Sequence, residues 1–133
     1  MASKSLMYKV NGVPTLELVE KFNEDSNIFF RFQNPHQKLT SRSESWGMIY
    51  GSKQEAIKND CEILPGKSCM DTLKGLDKWI TYFDDDYVVL VFEGCDTGVT
   101  GHDGEYVATY YKKVAVWSMK DVVEFMQNNY WNE

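Results

Sequence analysis

The sequence predicts an α+β fold: a central, mostly antiparallel sheet with flanking helices, in a single domain covering residues 1–133. The run Tyr87–Phe92 is uninterrupted and β-branched, as a central strand buried on both faces would be. The aromatic run Ile28–Phe32, bounded by Asn27 and by Asn34-Pro35, reads as a second strand. Between and around these runs lie segments with apolar residues at helical spacing.

Taken in order, Leu16, Val19 and Phe22 follow Pro14 at helical spacing, with Thr15 placed to cap. Asn23–Asn27 breaks that helix, and the strand near 28–32 follows. Gln33–Ser45 is a polar loop, long enough to suggest function or motion. A short strand is expected near 47–50. Ser52-Lys53-Gln54-Glu55 then matches a capping box, so a helix is expected over Lys53–Asn59. Pro65–Ser68 reads as a turn. Asp71 caps an expected helix through Tyr82 whose Leu73, Leu76 and Ile80 share a face. A strand near 87–93 follows the stop at Asp84-Asp85-Asp86. Two more, near 105–110 and 114–117, are expected on either side of a tight turn at Tyr111–Lys113. Ser118 caps a terminal amphipathic helix carrying Val122, Phe125 and Met126.

Composition narrows function. A net charge of −6, with 14 basic residues against 20 acidic ones, disfavours nucleic acid. A basic protein partner or a small molecule suits that charge. No apolar run is long enough to span a bilayer or serve as a signal peptide. Three cysteines, Cys61, Cys69 and Cys95, are an odd number without CxxC spacing, which points to reduced thiols and a cytoplasmic location.

The segment Glu93–Glu105 carries four glycines among Gly94–Gly104, with acids and His102 between them. Numbered from Asp96, a calcium loop has Gly101 in its place but Val107 where a bidentate Glu is required. Gly66-Lys67-Ser68 lacks the earlier glycine of a phosphate loop. The plain reading is a mobile hairpin connection. Cys69 or Cys95 with His102 as a thiolate pair lacks an orienting third group, and a zinc site lacks a short ligand pair, so no metal is expected. Arg31 interrupts an apolar strand, opposite in face to Phe30 and Phe32. It either pairs on a solvent-facing surface or offers a fork to a phosphate or carboxylate.

Phe30-Arg31-Phe32, Ser68 (or Ser52) and Asp103-Gly104-Glu105 together resemble the Arg–Ser–Glu pattern of the ADP-ribosyltransferase superfamily, and the Gly47–Ala56 stretch is similar to its passage past the nicotinamide pocket. The likeness runs over Ile28–Met119 in order and spacing, without a Ser-Thr-Ser triplet and with Asp103 where Glu or Gln is usual. It implies NAD as substrate, a phosphate held by Arg31, a pocket shaped by Ser68 or Ser52, and a ribose oxocarbenium stabilised by Glu105 beside Asp103. Trp46, Tyr50 or Tyr106 would stack on its rings. The alternative is a non-catalytic acidic interaction protein, such as an immunity protein or phage-type inhibitor, that occupies a basic site on a partner. Tyr130-Trp131 and Trp46 would then anchor, with Asp84-Asp85-Asp86 and Asp121–Glu124 as the rim.

Overall fold

The chain builds its sheet around one long hairpin. In the computed structural model, which describes residues 6–37, 39, 44–45, 53–60, 64–101 and 104–131, strand β5 (Val88–Thr100) pairs antiparallel with β6 (Tyr106–Ser118). Strand β1 (Ile28–Gln33) pairs antiparallel with β5, and β4 (Lys67–Cys69) with β6, giving the order β1-β5-β6-β4. Two short strands, β2 (Glu44–Ser45) and β3 (Leu64–Pro65), pair separately. This is the expected α+β class, with helices against an antiparallel sheet.

One residue past β4, the Met70 amide donates to the Phe30 carbonyl and the Phe30 amide to the Met70 carbonyl, both at 2.8 Å. The two outer strands therefore meet, and the sheet curls upon itself. The opposite edge of β6 is covered near its end by the N-terminal segment. Asn11 donates its amide to the Val116 carbonyl and accepts from the Val116 amide through its side chain. Both devices satisfy strand edges that would otherwise invite other chains.

Alternation along β1 divides the packing. Ile28, Phe30 and Phe32 face a core with Val89, Val91, Ala115 and Trp117, covered by α1 (Leu16–Glu24), the 3₁₀ segment Lys74–Tyr82 and α3 (Met119–Asn129). Phe29 faces the other way, into a smaller cluster with Leu90, Phe92, Ala108, Val116, Cys69 and Tyr8. Arg31 shares its face, because Arg31 pairs with Leu90 and Leu90 with Val116. The ends of α1 and α3 follow their caps. Thr15 Oγ1 accepts from the Leu18 amide, and Ser118 Oγ from the Asp121 amide.

Several expectations are corrected. Residues Glu93–Thr100 are not loop; β5 continues through them, because Thr97 Oγ1 donates to the Val107 carbonyl and Thr109 Oγ1 accepts from the Cys95 amide. No turn forms at Tyr111–Lys113. Strand β6 runs straight through, absorbing the extra residues in register shifts at Val91/Phe92 and Glu93/Gly94. Pro65–Ser68 is strand on either side of Gly66, whose φ of +113° makes the bend. The segment to Tyr82 is a 3₁₀ helix starting at Lys74, and its Leu73 cap has no side-chain bond. Leu73, Leu76 and Ile80 are nevertheless buried together. The helix α2 spans Lys53–Lys58, while the strand near 47–50 lies outside the described residues.

Candidate functional site

Three residues distant in sequence gather where β1, β4 and β6 meet. The Arg31 guanidinium donates from Nη1 to the Ser68 carbonyl at 2.8 Å, tying β1 to β4. Glu105, at the entrance to β6, lies within electrostatic reach of Arg31 and helps hold its charge. Burial acts against that charge and is the larger influence, lowering the Arg31 pKa. Its Nε is buried without a hydrogen-bond partner. Arg31 is half-buried on the face of the smaller core, and its Nη1 hydrogen bond goes to a backbone carbonyl.

Arg31, Ser68 and Glu105 are thus brought together, but under cover. Glu105 is 1% exposed and Ser68 3%. Tyr106 pairs with Cys69 across the β4–β6 ladder beside them, half-buried, and its phenol pKa is raised chiefly by Asp71. Trp46, Tyr50, Ser52, His102 and Asp103 lie outside the described residues.

Lys67 lies in the Pro65–Ser68 segment that the sequence reads as a turn, within a Gly66-Lys67-Ser68 run that does not fit a phosphate loop. The β4–β6 register pairs it with Ala108, a residue of the smaller core, so its stem packs on the same face as Arg31. It is 6% exposed. Desolvation, then the neighbouring Arg31 cation, pulls its amine down to about 8. Among the described residues Lys67 forms no ion pair. The sequence signal was a lysine two residues before a cysteine at a strand edge, too common to single out. Cys69 next to it is buried and its thiol is pushed up by desolvation, so it is a neutral packing residue. Cys95 is an exposed free thiol on β5. No group of three His, Cys, Asp or Glu side chains suited to a metal occurs among the described residues.

A second site lies on the other side of the helical core. A surface pocket of about 270 Å³ opens between the N-terminal segment and α3, lined by Val13, Pro14, Asp121, Glu124, Phe125, Asn128 and Asn129. Asp121 and Glu124 are three residues apart on one helix face, and neither has an ion-pair partner among the described residues. Phe125 supplies a buried apolar floor. Val13, 54% exposed, lines the pocket, and Leu6, Met7, Val10 and Leu16 elsewhere in the N-terminal part of the chain are exposed as well. Of the other expected anchors, Trp131 is exposed and donates Nε1 to Asp77, and Tyr130 packs edge-on against Phe125.

No helix of the described residues is long and apolar enough to cross a membrane. No family model, curated protein or solved structure matches the chain.

Proposed function

We propose that this chain is an acidic interaction protein that occupies a basic site on a protein partner. The observation that carries this reading is the pocket beside α3: two carboxylates without cationic partners among the described residues, an apolar floor, and exposed Val13 in its lining. An arginine or lysine from a partner can lay its stem on Phe125 and Val13 and its charged head on Asp121 and Glu124. The overall charge of −6 speeds the approach of such a partner. Photo-crosslinking from Leu16 in the native host tests it. A basic partner captured by the natural chain and lost on Asp121→Lys with Glu124→Lys supports the reading. Capture indifferent to that charge reversal counts against it.

A second reading, NAD binding with transfer of ADP-ribose to a protein or other target, is favoured by the gathering of Arg31, Ser68 and Glu105. Against it stands the burial of Glu105, which would have to be uncovered to face a ribose. Calorimetric titration with NAD decides: no heat at millimolar NAD ends this reading and leaves the first untouched.

A further inference from the structure

We propose that Arg31 and Lys67 together seat a phosphate-like oxyanion where β1 and β4 meet. Charge balance is the first argument. Arg31 and Lys67 place two cations on one face of the curled sheet, and the neighbouring groups coupled to Arg31 are Glu105, the Cys69 thiol and the phenols of Tyr8 and Tyr87. Burial pushes the Cys69 thiol and the Tyr87 phenol up, so both are neutral at pH 7, and Glu105 is the one carboxylate among the described residues coupled directly to Arg31. In a chain with a net charge of −6 this local excess is the reverse of the average, and like charges brought together under cover repel strongly unless an anion joins them.

Geometry is the second argument. The Arg31 bond to the Ser68 carbonyl uses Nη1 and fixes the guanidinium plane across the β1–β4 junction, leaving the buried Nε–H without an acceptor. Lys67 follows Gly66, whose own backbone bend turns β4 into the ladder with β6 and aims the lysine stem inward. Gln33, on the same face two residues along β1, holds its amide in place by donating to the Asn34 and Gln37 carbonyls. An oxyanion accepting from Arg31 and Lys67 would satisfy the orphaned donor and neutralise the excess charge together. Two adjacent cations suit a divalent oxyanion such as phosphate better than a single carboxylate. The inference holds whichever partner the α3 pocket takes, and it does not require NAD.

The test is thermal unfolding of the full chain in inorganic phosphate against chloride at matched ionic strength, with acetate as the carboxylate arm. Phosphate at about ten times its dissociation constant should raise Tm by about 5 °C, acetate by less. Lys67→Met, which keeps the stem and removes the charge, should abolish the phosphate shift while remaining folded. Amide ¹⁵N shifts on phosphate addition should cluster on Phe30–Phe32 and Lys67–Met70. No shift beyond chloride, a full shift in Lys67→Met, or perturbation centred on the exposed Lys112–Lys113 instead would overturn the proposal, and equal shifts with acetate would overturn the preference for phosphate.

Discussion

Phe30 and Met70 exchange reciprocal backbone hydrogen bonds of 2.8 Å, and this backbone pair, with the Arg31 bond to the Ser68 carbonyl, joins the two outer strands of the sheet. Met70→Pro removes one donor and leaves the Phe30 carbonyl unsatisfied beside a buried ring. It should cost about 3 kcal/mol in urea unfolding, whereas Met70→Leu, which leaves the backbone intact, should cost less than about 1.5 kcal/mol. Equal effects from both would show that the side chain, not the backbone pair, matters.

Gly94 marks the bulge that lets β5 continue past Phe92. A Cβ there would collide with the Thr109 carbonyl on β6. Gly94→Ala should lower stability by about 1–3 kcal/mol, while Gly98→Ala meets no neighbouring atom and suffers only from its positive φ, for roughly 1 kcal/mol. The ranking, read from denaturant midpoints, is the check.

Lys67 gives a pH dependence of defined sign. Its amine sits at about 8 in the folded chain against 10.5 unfolded. Between these values the unfolded state binds more protons, so stability should rise as pH climbs through that window, with the full penalty present below it. The span corresponds to at most about 3 kcal/mol. Above pH 10 the phenols act oppositely, since burial and Tyr8 push Tyr110 up to about 12 and the unfolded state loses its protons first. Lys67→Met should be more stable than the natural chain near pH 7 in the absence of phosphate, and the two should converge toward pH 10. A Lys67→Met chain less stable at neutral pH would contradict this.

Glu105 is the carboxylate that offsets Arg31 under cover. Glu105→Ala should cost about 3–5 kcal/mol, because it leaves the guanidinium without its counter-charge. Arg31→Met in the same chain should recover part of that loss, giving a coupling of about 1–3 kcal/mol in a double-mutant cycle. Strict additivity would mean the two do not interact.

Much of this architecture was legible because local signals and burial agree. Thr15 and Ser118 cap where their hydroxyls precede helical spacing, and Val88–Phe92 of the Tyr87–Phe92 run form the buried half of β5. The glycine-rich stretch misled because its partner strand was invisible. Glycines read as loop by intrinsic preference, yet Gly94 lies in a strand since only a residue without Cβ fits against Thr109. The apparent turn at Tyr111–Lys113 has the same cause, since the bulged pairing with β5 outweighs local polarity. At the site, the opposition of Arg31 to Phe30 and Phe32 was readable from alternation. That Ser68 would contribute its backbone carbonyl and Lys67 its charge depends on the β4–β6 register and on the meeting of β4 with β1, which no local pattern encodes.

The meeting of Phe30 with Met70 also sets an order of events in folding. The β5–β6 hairpin and α3 are neighbours in sequence and close short loops, while β1 must wait for β5, and β4 for β6. The Phe30–Met70 pair spans a long stretch of chain and becomes favourable only once both of its strands are seated, so it forms after the main barrier. Weakening it should speed unfolding and leave refolding nearly unchanged, whereas truncating Val91 or Ala115 in the hairpin should slow refolding. Chevron plots of Met70→Gly and Val91→Ala would separate the two, and a slowed refolding arm for Met70→Gly would reverse the order.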